Sequence, residues 1–323
     1  MKIETKDLKE DIKEARPNLK DNTIKQYETN LEKLKKLFDT DTYDFLSKPN
    51  EVMEKIADKH YLSQRNFLNA IVVLLMALNS EEKYDKLIEE YGKIRDKFND
   101  QYTESNLNNK FISDKQSKNF ATIEEVYEML NKMGEDLKPI KKKNKEDITK
   151  KEMQLLQAYV LFFIHSRMPF RNETSTTIAI QKRNFSKLSK EEQEAKNYLL
   201  VEKNGLSWIM NQYKTSKKYA QKILPIEDPE LKKILRFYLR INGMGVLFKT
   251  STGKPITKIE LSKILLKYSQ RYMNKNISST MLRKIYLSSK YGDMKKELEK
   301  DNNVMGHSKA TALNNYVKEA QED

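Results

Sequence analysis

At 323 residues the chain is long enough for about two domains. It carries 61 Lys and Arg against 47 Asp and Glu, a formal net charge of +14, and no cysteine. The charge points to a polyanionic partner, although an AT-biased genome that favours Lys, Asn, Ile and Tyr would give a similar surplus. The absence of cysteine excludes a disulfide framework, a thiolate zinc site and a cysteine nucleophile.

The opening stretch "MKIETKDLKEDIKEARP" lacks the apolar centre of a signal peptide. In "NTIKQYETNLEKLKKLF" the apolar residues Ile24, Tyr27, Leu31, Leu34, Leu37 and Phe38 recur at helix spacing, with Asn22 or Thr23 as the expected cap. Short helices are expected around "YDFLSK" and "PNEVMEKIADKH". Ser63 then stands where it can cap a helix over "QRNFLNAIVVLLMALN". The most apolar run, residues 67–78, is too short to span a bilayer and reads as a buried helix, so a soluble intracellular protein is expected. A last helix covers about 81–100. The polar, aperiodic stretch that follows reads as a linker, placed at 105–117, between domains 1–104 and 118–323.

The second domain opens with a helix over "TIEEVYEMLNKM". "PIKKKNKED" is an exposed loop whose lysine run is a nuclear address or, more often, solvated charge. "TKKEMQLLQAYVLFFIHS" is apolar nearly all round and reads as the central buried helix, with His165 packed inside. Residues 197–226 have aromatic and branched residues, a turn at Asn204-Gly205 and a polar break at 215–218; three short antiparallel strands are expected. Helices resume at "DPELKKILRFYLRIN", with Asp228 as cap before Pro229, and continue through "TKIELSKILLKYSQRYM" and "SSTMLRKIYLSSKYG". The predicted fold is mainly α with a small three-stranded antiparallel sheet in the C-terminal domain, the two domains forming a clamp on duplex DNA.

Near the C-terminus, "VMGHSKATALNNY" sets Gly306-His307 nine positions ahead of Tyr316. That spacing is weak alone, but Arg283 of "TMLRKIY" lies 24 residues before His307, Arg171 of "SRMPFRNE" follows the buried helix, and Lys214 sits where the second strand turns into the third. As an ordered set these residues resemble the tyrosine recombinase, or phage-integrase-like, family, in particular integrases of large DNA viruses and their mobile elements. The helices at 22–34 and 63–75 are similar to those of the family's N-terminal core-binding domain, so the resemblance spans nearly the whole chain.

The resemblance implies a site-specific recombinase that cuts and rejoins DNA through a covalent 3′-phosphotyrosyl intermediate. Tyr316 would be the nucleophile, Arg171 and Arg283 the guanidiniums on the non-bridging oxygens, His307 a further donor, and Lys214 the acid for the leaving 5′-oxygen. Lys217 and Lys218 share the turn with Lys214 and compete for that role. The family's first His of His-x-x-Arg is Thr280 here, which can hydrogen-bond a phosphate oxygen but cannot act as a base; Ser279 is the neighbour that would share its place. No cofactor and no metal are implied. The partner implied is double-stranded DNA, bound by a homo-tetramer in the cytoplasm or nucleus of a host cell, with no membrane involved. Only seven residues follow Tyr316, fewer than many family members use to dock onto the next protomer. A type-IB topoisomerase or telomere resolvase would use the same chemistry, and a DNA-binding relative with a decayed site is the non-enzymatic alternative.

Overall fold

The computed structural model describes residues 2–5, 7–108 and 117–305. The chain divides into two compact units, Met1–Phe111 and Ile112–Asp323, and is mainly helical as expected. No helix among the described residues is long and apolar enough to cross a membrane.

In the first unit the helices are α1 (Leu8–Ala15), α2 (Asp21–Phe38), α3 (Pro49–Ile56), α4 (Tyr61–Ala77) and α5 (Asp85–Asn108). Ile24, Leu31 and Leu34 of α2 are fully buried, and Leu68–Leu75 makes α4 the centre against which α1, α2 and α5 pack. Three boundaries differ from expectation. Neither Asn22 nor Thr23 caps α2. The amides of Thr23 and Ile24 already donate to Lys20 O, at 2.8 and 3.2 Å, so both residues lie inside the helix. Helix α4 starts two residues before Ser63, where His60 Nδ1 accepts from the Leu62 amide at 3.3 Å. Helix α5 runs to Asn108, into the expected linker, because no Gly or Pro between 99 and 108 stops it. Thr103 Oγ1 also donates back to Asn99 O, which satisfies its hydroxyl without leaving the helix.

The second unit is built around α7 (Lys150–Arg167), whose stretch from Leu155 to Ser166 is buried apart from half-buried Tyr159. Packed on it are α6 (Ile123–Asp136), α11 (Pro229–Asn242), α12 (Lys258–Met273) and α13 (Ser279–Met305). Reciprocal Thr–Glu capping boxes start α6, α7 and α12, at Thr122/Glu125, Thr149/Glu152 and Thr257/Glu260. Asp228 caps α11 as expected, accepting from the Leu231 amide at 2.7 Å.

The sheet differs from the expectation. Strands β2 (Tyr198–Val201), β3 (Leu206–Met210) and β4 (Lys222–Pro225) form the antiparallel trio anticipated between 197 and 226. To them are added β1 (Ile178–Gln181), parallel to β2, and β5 (Gly245–Val246), antiparallel to β1. The result is a five-stranded mixed sheet in the order β4-β3-β2-β1-β5, in place of three antiparallel strands. The added strands are four and two residues long, too short to show a period of two. Two short helices, α8 (Lys182–Phe185) and α9 (Lys190–Ala195), carry the chain back for the parallel pairing. The loop between β3 and β4 contains α10 (Ser216–Tyr219).

Candidate active site

Arg171 emerges directly from the end of α7. The helix stops at Met168, whose extended backbone precedes Pro169, and the chain turns into a 3-10 segment at Asn172–Thr176. That turn is held from both sides. Asn172 Nδ2 donates to Lys258 O at 3.0 Å and to Ser262 Oγ at 2.8 Å, while Asn197 Nδ2 donates to Glu173 O at 3.1 Å. The second amide proton of Asn197 goes to Gln212 O, and its Oδ1 accepts from the Asn211 and Gln212 amides, both at 2.8 Å. One buried asparagine therefore ties the Arg171 turn to the root of the β3–β4 loop.

Arg283 sits in the first turns of α13, half-buried, 112 positions from Arg171 (283 − 171). The two arginines line one open cavity of about 610 Å³, together with Glu173, Tyr213, Thr215 and Lys222. Arg283 Nη2 donates to Thr280 Oγ1 at 3.1 Å, one helical turn earlier, and its buried Nε has no hydrogen-bond partner among the described residues. Burial, and then the positive charge of Arg171, push the Arg283 pKa down, while Glu173 pulls it back up. Neither arginine closes an ion pair among the described residues. Arg167, two residues before Pro169, shows the contrast. It is spent on Asp228 and Glu230 at 3.0 and 2.7 Å and lies 3.7 Å from the Phe163 ring centroid. Two neighbouring guanidiniums with one half-paired fork between them form a site for an oxyanion with several acceptor oxygens.

His165 is fully buried, as its place in the apolar helix implied. Burial first, and the charge of Arg283, lower its pKa to about 4, so it is neutral at neutral pH. Thr174 Oγ1 lies 3.4 Å from Nε2. The Phe170 backbone lies near enough to favour the charged form slightly, yet Nδ1 has no partner of ordinary hydrogen-bond geometry.

Of the residues singled out from the sequence, the cavity thus brings together Arg171 and Arg283. Thr280 does not itself line the cavity but touches Arg283, which does, and the hydroxyl that meets the guanidinium is that of Thr280, Ser279 being buried. Lys214 is exposed in the β3–β4 loop, at the turn the sequence suggested. None of Lys214, Lys217 and Lys218 lines the cavity. The loop is closed by Tyr213 Oη, which donates to Ala220 O at 2.7 Å, with Ala220 in a left-handed backbone (φ 50°) that favours glycine. His307 and Tyr316 lie outside the described residues. Sequence reasoning missed Glu173, Asn197 and Lys222. The only local signal for Glu173 is a carboxylate two positions after an arginine that follows an apolar helix; Lys222 is one more lysine among many.

A second groove, of about 460 Å³, belongs to the first unit and is lined by the polar faces of α2 and α4, including Lys25, Gln26, Lys33 and Asn66. Among the described residues no group of three or more His, Cys, Asp or Glu is placed to hold a metal ion. No family model, curated protein or solved structure matches the chain.

Proposed function

We propose that this protein is a tyrosine recombinase of the phage-integrase type, which breaks and rejoins duplex DNA. The observation that carries the reading is the convergence of Arg171 and Arg283. They are remote in sequence, close no ion pair among the described residues, and share one open cavity that the buried Arg283 Nε–H, without a partner among those residues, adjoins. Two partly desolvated guanidinium charges with Glu173 as the one carboxylate in the lining leave a surplus of positive charge that an anionic ligand would complete. A phosphodiester is that ligand in the proposed reaction.

In this mechanism Tyr316 gives its hydroxyl proton to water, a phosphate oxygen or a neighbouring group as its oxygen attacks the scissile phosphorus. The P–O bond to Tyr316 forms as the bond to the 5′-oxygen breaks, and the departing oxygen takes a proton from Lys214. Arg171 and Arg283 stabilise the charge that gathers on the non-bridging oxygens, and His307 donates to the same oxygens. Attack of a 5′-hydroxyl on the phosphotyrosyl bond reverses the sequence and rejoins the strand. Thr280, which cannot take the tyrosine proton near neutral pH, acts by holding Arg283. Lys214 reaches the phosphate by movement of the exposed loop. The α2/α4 groove, with lysines for phosphates and amides for base edges, would receive DNA on the first unit, so that the two units clasp the duplex. The host-cell compartment and the tetramer belong to the same reading.

The test is a suicide DNA substrate whose cleaved product cannot be religated. Wild-type protein should yield a covalent adduct on a denaturing gel. Tyr316→Phe removes one oxygen and should abolish the adduct while duplex binding persists. An adduct with the Phe variant would remove Tyr316 from the role.

A further inference from the structure

Besides Arg171, Arg283 and the ion-paired Arg167, the cavity is lined by Lys222, a cation that the sequence pattern does not single out. Lys222 opens the edge strand β4, paired in register with Met210 of β3, and is exposed at the cavity wall. Its Nζ stands 5.1 Å from the ring centroid of Tyr219 and 5.4 Å from that of Tyr213. Both rings come from the same loop. Tyr213 is fixed by its hydroxyl bond to Ala220 O. Two aromatic faces within cation–π range attract the ammonium and restrict where it can point. An ammonium restricted in this way is suited to binding a fixed anion.

We infer that Lys222 is a substrate-contacting residue, a clamp whose ammonium binds a DNA backbone phosphate in the Arg171/Arg283 cavity, with a role separate from the acid assigned to Lys214. The inference rests on the strand-breaking reading for the chemistry, though not for the phosphate contact. The geometry also gives the tyrosines a part. Tyr213 and Tyr219 are positioning residues for Lys222, and they link the ammonium to the loop that carries Lys214. Binding of a phosphate at Lys222 would thereby fix the base of the exposed loop.

The experiment compares full-length wild type, Lys222→Gln and Lys222→Arg. Lys222 is exposed, so neither change removes core contacts. Duplex affinity is measured against salt, and cleavage is measured on ordinary DNA and on DNA with sulfur at the bridging 5′ position. A lost phosphate contact should make the slope of log K against log salt shallower by about 0.9. Cleavage by Lys222→Gln should slow by roughly tenfold on both substrates, the usual scale of a lost charged hydrogen bond. Lys222→Arg should retain the slope and most of the rate. An unchanged slope in Lys222→Gln would overturn the contact. Rescue of Lys222→Gln by the sulfur substrate would overturn the clamp role and make Lys222 the proton donor. If wild type itself forms no adduct, the strand-breaking reading fails, and the salt slope still decides whether Lys222 holds a phosphate.

Discussion

Thr280→Val is the substitution that isolates how Arg283 is held. Valine keeps the shape of threonine and removes one acceptor, Oγ1, which receives Arg283 Nη2 at 3.1 Å. Thr280 is exposed, so its loss leaves the core untouched and global stability should stay within about 0.5 kcal/mol. Hydrogen bonds to charged groups contribute about 1.5–3 kcal/mol, and exposure to water reduces this, so about 1 kcal/mol of positioning is at stake. If that free energy is expressed in the transition state, the cleavage rate should fall roughly fivefold. Arg283 Nε already has no partner among the described residues, so the guanidinium would retain no side-chain hydrogen bond from them. Single-turnover cleavage of a suicide substrate at saturating protein reads the rate without binding. Thr280→Ser keeps the oxygen and serves as the control. The reasoning is refuted if Thr280→Val cuts as fast as wild type, or if Thr280→Ser is as slow as Thr280→Val, since a serine that keeps the oxygen would then fail to keep the rate.

Three other outcomes are expected. Lys214→Ala should slow cleavage of ordinary DNA by on the order of 10²–10⁴, and sulfur at the bridging position should restore it, because a thiolate leaves without protonation. Arg171→Ala and Arg283→Ala should stay slow on both substrates, and rescue of Lys217→Ala in place of Lys214→Ala would shift the acid by three residues. His165 has a folded pKa of about 4 against an ordinary value of 6.5, so the unfolded chain takes up its proton first as pH falls. Its contribution is therefore complete above about pH 6.5 and is lost towards pH 4, on the order of 3 kcal/mol in all. Denaturant titrations from pH 7 to 4 should show a flatter acid limb in His165→Gln than in wild type; an identical limb would place the titration elsewhere.

Much of the molecule was legible in the sequence because it depends on local chemistry. The spacing of Ile24, Leu31 and Leu34 sets a helix face, the apolar run from Leu155 to Ile164 demands burial, and Asp228 before Pro229 caps a helix with its own side chain. The turn at Asn204-Gly205 and the break at 215–218 likewise mark an antiparallel trio without reference to anything distant. Asp85–Asn108 shows the limit even there, since polarity alone did not distinguish a solvated helix from a linker.

What only the tertiary structure decided concerns partners far apart in the chain. β1 and β5 are too short to announce themselves, and they exist as strands because β2 offers β1 an edge and β1 offers one to β5. The sequence can order Arg171 before Arg283 but cannot say that they share a cavity, that Asn197 ties one to the loop root, or that Glu173 stands near both. Above all, it cannot rank lysines. Lys214, Lys217, Lys218 and Lys222 are chemically identical as letters. The strand register and two tyrosine rings put Lys222 at the cavity wall and leave Lys214 on the exposed loop, because burial and ring contacts are properties of the folded surface rather than of the residue.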